Sequence, residues 1–263
     1  MMNRDGPVPC VVVPLDGSAQ ARRALDPAMR VAQVLGCSIE LVTVYDPVRG
    51  RWARDLDDIA DRMPFEQVEV AVVGSGWPGE VLADVAGDHP GTLICMATQD
   101  HDQLQRLALG SVSTHLMRAT DGPILFVGPG YTPQQDLPRY RDLVVCIDNS
   151  SRADTAVRLA AVWAARLGLG ITLVHVAADL AGQLEMESEL AAYVDRLTDG
   201  GAAATATVLI SDSPAHAVAE LLGSRPDALA LTVSQGRGSL TRLLLGSVTS
   251  ELLARSPAPV LVA

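Results

Sequence analysis

Lysine is absent from this chain, and its absence removes several kinds of chemistry. All 20 basic residues are arginine, against 31 acidic residues, so the formal net charge is −11 at pH 7. Without lysine the chain has no P-loop lysine, no Schiff-base nucleophile and no Ser–Lys catalytic pair. The acidic balance also argues against a nucleic-acid partner, because phosphate backbones bind to basic protein faces.

Aromatic residues, long apolar runs and cysteine motifs are also scarce. Aromatics make up 3% of a chain that is 48% hydrophobic, so aliphatic side chains must pack its cores. No apolar run approaches the roughly 20 residues that a membrane-spanning helix needs, and no signal peptide is visible at the start. We therefore predict a cytoplasmic protein without a membrane partner. The four cysteines form no C-x-x-C motif, which favours buried, reduced thiols over a metal or redox site.

The chain contains one sequence unit twice. Val11–Ser18 (VVVPLDGS) matches Leu143–Ser150 (LVVCIDNS), and Leu107–Ser113 (LALGSVS) matches Leu243–Thr249 (LLLGSVT). Each copy then ends with a short apolar strand that follows a proline. Since 263 residues suffice for two domains of common size, the repeat predicts a tandem pair. The predicted boundaries are a first domain over 1–129, a Pro-rich and polar linker over 130–139, and a second domain over 140–263.

Strand and helix patterns alternate within each copy. In the first copy, apolar strands are predicted at Cys10–Leu15, Ser38–Tyr45, Val68–Val73, Thr92–Thr98 and Ile124–Val127. Helices are predicted between them, from a Ser18 cap to a stop at Gly36, near Trp52–Arg62, from Pro78 and from Ser111. Nearly continuous apolar strands joined by helices are typical of a parallel sheet covered on both faces. The sequence therefore predicts two tandem, doubly wound α/β domains, each with a five-stranded parallel sheet and four helices.

Polar residues and glycines collect where the predicted strands end. Asp16 and Asp148 follow the first strand of their copies, and Gly110-Ser111 and Gly246-Ser247 open the last helices. In open parallel sheets, ligands bind beyond the carboxyl ends of the strands. A glycine that leads into a helix offers an anion free N–H groups and the positive end of the helix dipole. The same residues also suit simpler roles, as turn carboxylates and helix caps, and both interpretations stay open at this point.

The second copy contains a loop that resembles the nucleotide loop of the universal stress protein family. That family motif is Gly, two residues, Gly, nine residues, then Gly-Ser/Thr; here Gly236 and Gly246-Ser247 stand at its second and third positions, and Val233 replaces the first glycine. The likeness covers nearly all the chain, because the Asp after the first strand, the Pro-led short helix and the final strand match too. The resemblance implies a tandem universal stress protein with two Rossmann-like, adenine nucleotide alpha-hydrolase-like domains related by a pseudo-two-fold axis. It also implies ATP, with or without Mg²⁺, as the ligand.

The resemblance further implies which residues line each nucleotide site. In the second copy they are Cys146, Asp148, Val176, Val233, Gly236, Arg237, Gly246, Ser247, Val248 and Thr249. In the first copy they are Pro14, Asp16, Val44, Gly110, Ser111, Val112 and Ser113. The first site is expected to be the weaker, because Ala97 and Asp100 replace two motif glycines and Asp102 follows. A carboxylate about 5 Å from a phosphate costs about 3 kcal/mol at an effective dielectric near 20.

A second glycine motif lies in the first copy. Gly74–Gly79 fits G-x-G-x-x-G between a strand and a helix, which would suggest a dinucleotide site. Its counterpart Ser211–Ala215 has no glycine, and the bulky Trp77 would crowd a pyrophosphate. The motif also follows the third strand, whereas the dinucleotide fingerprint follows the first. Three functions are considered for this chain: an ATP-binding protein, a nucleotide-free interaction module and a dinucleotide-dependent enzyme. The dinucleotide-dependent enzyme is therefore the least favoured of them.

No catalytic constellation is visible. The five histidines show no metal-ligand spacing, and no Ser–His–Asp triad, acid/base carboxylate pair or G-x-S-x-G elbow is present. The leading hypothesis is thus a non-enzymatic stress-response protein that binds ATP in its C-terminal domain and acts through nucleotide-dependent association; a weak ATPase activity stays open. The alternative is a nucleotide-free interaction or dimerisation module. The resemblance also implies that the final strands of the two units pair, so one chain would form an internal pseudo-dimer, with a homodimer of chains left open.

Overall fold

The computed structural model describes residues 8–44, 52–89, 91–98, 109–120, 122–133, 139–233 and 245–263, with side chains in the second range from residue 55. Within these residues, strands and helices alternate in two successive series. The elements over residues 10–127 are termed the first half. The elements over residues 142–262 are termed the second half.

The bounds of the elements are as follows. The strands of the first half are β1 (Cys10–Pro14), β2 (Ser38–Val44), β3 (Val68–Val73), β4 (Leu93–Ala97) and β5 (Ile124–Val127), and its helices are α1 (Leu25–Leu35), α2 (Trp52–Arg62), α3 (Pro78–Asp88) and α4 (Ser111–Ala119). The strands of the second half are β6 (Asp142–Cys146), β7 (Gly170–Ala177), β8 (Ala204–Ile210), β9 (Ala228–Thr232) and β10 (Val260–Val262), and its helices are α5 (Ala153–Leu167), α6 (Leu180–Asp199), α7 (Pro214–Gly223) and α8 (Ser247–Arg255).

The ten strands of the described residues form one sheet in the order β3-β2-β1-β4-β5-β10-β9-β6-β7-β8. Within each half every pairing is parallel, and the chain reverses direction across the sheet between β1 and β4, or β6 and β9. The two halves meet where β5 pairs antiparallel with β10, with Leu125 opposite Leu261. The mirrored strand order confirms the predicted fold class of two doubly wound, five-stranded parallel-sheet domains. The exact domain boundaries stay a prediction.

Helices cover both faces of the sheet, and the central strands are buried on both sides. Along β1, Val11 and Val13 pack on the face covered by α1, whereas Val12 packs on the face covered by α3 and α4. This two-sided burial explains why the strand sequences are apolar without alternation. The same packing places the carboxyl ends of β1 and β4, and of β6 and β9, beside the helices that follow them.

The first helix of each half ends at a glycine, as predicted. Gly36 and Gly168 have φ of +65° and +64°, in the left-handed region, and each donates its backbone N–H to a carbonyl of the last helical turn. A residue with a Cβ is strained in this conformation, which is why glycine is favoured directly after a helix. The matching geometry shows that the repeat extends to the backbone.

The start of the first helix differs from the prediction. The segment after Ser18 begins as a 3₁₀ turn, Ala21–Ala24, and becomes α-helical only at Leu25. Asp16 Oδ1 accepts the N–H of Ser18 (2.9 Å), and the Ser18 hydroxyl accepts the N–H of Ala21 (3.1 Å). These two side-chain bonds tighten the backbone directly after β1, and such turns compete with regular α-helix.

The chain that leaves β5 lies against the end of α8. A Cβ built on Gly130 would stand 2.7 Å from the carbonyl oxygen of Arg255, and one on Gly128 would overlap that of Leu253. The next residue, Tyr131, donates its hydroxyl to Asp26 of α1. Backbone of the first half therefore packs closely on a helix of the second, in addition to the β5–β10 pairing.

Candidate functional site

A cavity of about 180 Å³ opens at the carboxyl edge of β6, β7 and β9 in the second half. Its walls come from the ends of these strands, from the first turns of α5 and α7, and from the first turn of α8. This is the topological switch point of the half, where the strand order reverses. Ligands bind at this position in open α/β sheets.

Six of the ten residues predicted for the second half line this cavity. They are Cys146, Asp148, Val176, Val233, Val248 and Thr249. Two more, Gly246 and Ser247, begin α8 directly before the lining residues Val248 and Thr249. The remaining two, Gly236 and Arg237, lie outside the described residues.

The first turn of α8 leaves its backbone donors without a side-chain cap. Gly246 is the N-cap, with φ −56° and ψ 152°, and no side chain accepts from the first turn in the described part of the chain. The first N–H groups of a helix have no partner inside the helix, and together with the helix dipole they favour an anion. Since Val248 and Thr249 form part of the cavity wall, these donors lie at its edge.

Asp148 sits at the mouth of the cavity in a short turn. Its Oδ1 accepts the N–H of Ser150 (3.2 Å) and also the Ser150 hydroxyl, and its Oδ2 lies 3.7 Å from the guanidinium of Arg152. The side chain is 67% exposed. Asp148 therefore combines both of the roles considered from sequence, because it is a turn carboxylate and also a lining residue.

Cys146 contributes an apolar wall rather than a nucleophile. Burial, with a smaller contribution from the charge of Asp148, raises the pKa of its thiol to about 12. Since the thiolate is the reactive form of cysteine, the protonated thiol at neutral pH is inert. The other three cysteines are buried and free.

Sequence reasoning missed the inner end of the cavity. Val174, Val218 and Thr232 lie there, at 1%, 2% and 3% exposure. Val174 could have been found from the strand period of two, because it shares a face of β7 with the predicted Val176. Val218 could not, since its place depends on how α7 packs on the sheet.

His175 also lines the cavity, although sequence reasoning gave the histidines no role in the site. Its Nδ1 donates to the carbonyl oxygen of Ile147 (2.9 Å), another lining residue directly after β6. This bond ties the end of β7 to the segment that carries Asp148. A histidine that holds two walls of a pocket together is a positioning residue, and no sequence spacing indicated it.

The predicted residues of the first half occupy the matching positions. Pro14 and Val44 end β1 and β2, and Asp16 follows β1. Gly110 is the N-cap of α4, with φ −56° and ψ 161°, and Ser111, Val112 and Ser113 form its first turn. Asp100 and Asp102, on which the prediction of a weaker site rested, lie outside the described residues.

The Gly74–Gly79 segment packs two helices together. The Trp77 ring covers Gly79 so closely that a Cβ there would stand 2.5 Å from the ring. The Trp77 ring also contacts His115 of α4, with the ring centroids 4.5 Å apart in a T-shaped arrangement. The last glycine thus makes room for an aromatic ring from the same loop, which argues against a dinucleotide site.

The described residues contain no candidate for a metal centre or for a membrane-spanning helix. Among the described residues, no group of three or more His, Cys, Asp or Glu side chains is arranged to hold a metal ion. No helix in the part of the chain that the structure describes has the length and apolarity to cross a bilayer.

Taken together, the fold and the cavity define a class: tandem doubly wound α/β domains with a ligand-sized cavity at a strand switch point. The family model of the universal stress protein family matches residues 10–128 and again residues 139–263. The chain therefore belongs to the universal stress protein family.

Related proteins differ in how much of their length is matched. Universal stress protein Rv2005c of Mycobacterium tuberculosis is 27% identical over 186 residues, covering 65% of this chain and 61% of that protein, so the match spans less than two thirds of that relative. Universal stress protein Rv1996 of the same organism is 24% identical over 305 residues, covering 96% of this chain and 94% of that protein. A universal stress protein structure from Archaeoglobus fulgidus has a TM-score of 0.67 at 19% identity, covering 97% of this chain and 95% of that chain. The structural likeness supports the fold.

Proposed function

We propose that this protein binds an adenine nucleotide, with ATP as the ligand, in its second half. The observation that carries the proposal is the cavity at the switch point of β6 and β9, because its walls include six residues that the family resemblance had named from sequence. Those residues lie at the ends of β6, β7 and β9 and in the first turn of α8, and the packing of these elements brings them around one space.

The chemistry of the cavity suits the parts of a nucleotide. The inner walls are aliphatic and suit a flat heterocyclic base, which is largely apolar on its faces. The uncapped N-terminus of α8 suits the phosphates. The exposed carboxylate of Asp148 lies at the mouth, where it can accept hydrogen bonds from ribose hydroxyls. Mg²⁺ would accompany the phosphates and keep several of its waters.

We further propose that the protein acts through nucleotide-dependent association in the cytoplasm rather than by catalysis. ATP hydrolysis needs a group that positions or deprotonates the attacking water. Of the described lining residues, Cys146 is held protonated by burial, and the carboxylate of Asp148 is assigned here to the ribose hydroxyls rather than to a water at the phosphates. The β5–β10 pairing supports an intramolecular pseudo-dimer as the associating unit.

The proposal is tested on the full chain. The purified protein is denatured, its supernatant is chromatographed for adenine nucleotide, and the stripped protein is titrated with ATP in a calorimeter with and without Mg²⁺. We expect co-purified nucleotide and a saturable titration. No co-purified nucleotide together with no binding up to about 1 mM ATP, which corresponds to about −4 kcal/mol, would contradict the proposal.

A nucleotide-free interaction module is the second candidate. It is favoured by the direct contacts between the halves, where β5 pairs with β10 and Gly130 lies against Arg255 without any ligand. Under this candidate the association state in gel filtration is the same with and without ATP. A nucleotide-dependent shift in that state supports the first candidate instead.

A further inference from the structure

Helix α6 carries two leucines on its solvent side. Leu180 and Leu184 are 63% and 62% exposed, which makes them the most exposed large apolar side chains among the described residues. They stand four residues apart, so both project from one side of the helix. The residues of α6 that pack on the core lie on another side; they are Met186, Leu190, Tyr193 and Leu197. The two leucines therefore form an apolar ridge that the described part of the chain leaves in contact with solvent.

The start of α6 lies against the ends of β7 and β8. Beyond Val174, β7 pairs with β8 alone among the described strands, and Ala177 stands opposite Ile210. A Cβ built on Gly182 would lie 3.5 Å from the Cβ of Ala177, so the first turn of α6 packs on the end of β7. Ile210 is 52% exposed and shares a face of β8 with Val208, which packs on the core that α6 covers. Leu180, Leu184 and Ile210 thus lie at one end of one helix–strand layer and are called the α6 patch.

Acidic side chains accompany the α6 patch. At about 100° per residue, Glu185 and Glu187 lie on opposite sides of Leu184 on the helix surface, and both are exposed. Asp212 follows Ile210 by two residues, and no arginine occurs within ten residues of any member of the patch along the chain. The surface is therefore apolar with an acidic surround.

The described residues of the first half contain no matching surface. α2 has 11 residues against 20 in α6, and its large apolar side chains Leu56 and Ile59 are buried and half-buried. Gly74 follows β3 at the position that Ile210 occupies at the end of β8. The α6 patch therefore belongs to the half that carries the proposed nucleotide site.

Charge decides which occupant suits the α6 patch. A second copy of the chain would bring the same acidic residues against it, and each chain has a formal net charge of −11, so like charges oppose self-association there. An anionic membrane surface is disfavoured for the same reason. A helix with large apolar side chains on one face and basic side chains beside them matches both features. Residues at i and i+4 on α6 also form the kind of ridge against which a second helix packs.

We propose that the α6 patch is the docking surface for a basic amphipathic helix of a partner protein. The inference rests on the proposed function, because it names the surface through which the nucleotide-dependent association acts. His175 and Val176 line the cavity, and the next residue, Ala177, packs under the first turn of α6. The end of β7 thus contacts both the nucleotide cavity and the helix that carries the patch.

The test uses the full chain and a fluorescent peptide of about 18 residues, or about five helical turns, built from leucine and lysine as an amphipathic helix. The control peptide has glutamate in place of every lysine. Fluorescence anisotropy is recorded on the stripped protein and on the protein saturated with ATP. We expect saturable binding of the basic peptide with a Kd of about 10 μM, and no binding of the acidic peptide.

Two matched double variants separate docking on the patch from general attraction to an acidic protein. The variant with Leu180→Gln and Leu184→Gln keeps the charge and should weaken binding of the basic peptide about thirtyfold. The control with Val34→Gln and Val72→Gln removes two exposed apolar side chains from the first half and should leave binding unchanged. Because all four side chains are partly exposed, circular dichroism should show that both variants fold.

A second matched pair tests the acidic surround. Glu185→Gln with Glu187→Gln should weaken binding of the basic peptide about fivefold at low salt, and this difference should disappear in high salt. Asp57→Asn with Asp61→Asn, at exposed positions of α2, changes the net charge by the same amount and should weaken binding less than about twofold.

Equal effects within either matched pair would overturn the inference. So would self-association in sedimentation velocity that is lost when Leu180 and Leu184 are replaced, because the occupant would then be a second copy. ATP binding without peptide binding contradicts this inference alone. Peptide binding at the patch by a chain that takes up no ATP contradicts the proposed nucleotide site alone, and equal peptide affinity with and without ATP contradicts the nucleotide dependence while the docking surface stands.

Discussion

The two halves of the molecule share a scaffold and differ at the place where a ligand would bind. Strand order, helix order and the left-handed glycines Gly36 and Gly168 match. At the switch point, Met96 of the first half occupies the position that Thr232 has in the second, and the hydrogen-bonded Ser113 stands where the second half has Thr249. The difference teaches that side chains at strand ends can differ between two copies of one fold without disturbing the scaffold, because the core that stabilises it lies elsewhere.

A second difference concerns the helices after β2 and β7. α6 has 20 residues, and its Arg196 reaches Asp154 of α5 at 2.7 Å. α2 has 11 residues, and a gap of about 490 Å³ separates it from α1, with Arg22 and Arg62 on its walls. Among the described residues, the outer layer of the first half is therefore less closely packed than that of the second.

The largest expected effect concerns thiol reactivity. Cys146 stands where the first half has Pro14, so alkylation there reports on the second half alone. With a pKa of about 12 against an ordinary value of 9, its thiolate fraction at about pH 8 is about a thousandfold below that of a free thiol. Peptide mass spectrometry after iodoacetamide treatment should find Cys146 unmodified in the folded protein and modified in urea.

The same pKa gives the sign of a pH effect on stability. Because the folded pKa lies above the unfolded one, the contribution of Cys146 to stability is complete below pH 9 and is lost as pH rises towards about 12. Urea midpoints measured across this range should fall for the unmodified chain and fall less for Cys146→Ala. Rapid labelling of Cys146 in the folded state would contradict both expectations.

The next prediction compares ATP affinity after matched substitutions at the N-termini of α4 and α8. Gly246→Asp places a carboxylate at the N-terminus of α8, and about 3 kcal/mol of repulsion from a phosphate lowers ATP affinity by about two decades. Gly110→Asp is the matched variant, at a similar backbone conformation and with space for its new Cβ among the described residues. It should leave affinity nearly unchanged. Equal losses in calorimetry would show that both halves bind.

The next prediction concerns the contact between the chain after β5 and the end of α8. Gly130→Ala places a methyl group against the carbonyl oxygens of Arg255 and Ser256, and we expect a loss of about 2 kcal/mol in the free energy of unfolding. Gly87→Ala, in the exposed part of α3 with nothing within 4 Å, is the control and should stabilise by about 0.5 kcal/mol. Urea unfolding followed by circular dichroism measures both. An unchanged midpoint for Gly130→Ala would mean that the contact is not needed.

The smallest effect concerns the outer helices. Arg196→Ala removes the ion pair with Asp154 and the guanidinium that lies 4.8 Å from the Tyr193 ring centroid. Both charged side chains are more than half exposed, so solvent and salt screen the ion pair. Arg196→Ala should therefore lower the free energy of unfolding by about 0.5 kcal/mol, and by less in high salt. Arg62→Ala in the first half, which forms no ion pair within the described residues, should change the urea midpoint less. A larger effect there would contradict the looser packing of α2.

Sequence periodicity predicted the scaffold well and the inner end of the cavity poorly. The strands Val68–Val73 and Ile124–Val127 have the predicted bounds, because apolar runs, interrupted only by Glu69, and flanking turn residues define them locally. The 3₁₀ turn before α1 was missed, since it arises from side-chain bonds of Asp16 and Ser18 that compete with helix.

The same division applies to the candidate site. Mouth residues such as Asp148 and Val248 follow motifs that are contiguous in sequence. Val218 and Thr232 belong to elements that meet only in the packed sheet, and their contribution depends on shape and on an unpaired hydroxyl. The contact of Gly130 with Arg255 spans nearly half the chain, and no local pattern encodes it.

The central claim is that the second half binds an adenine nucleotide and the first half does not. It is tested most directly by the stoichiometry of ATP binding to the stripped full chain, measured by isothermal titration calorimetry at saturation. The account predicts one ATP per chain, lost in Gly246→Asp and retained in Gly110→Asp. Two ATP per chain, or one that is lost only with Gly110→Asp, would contradict it.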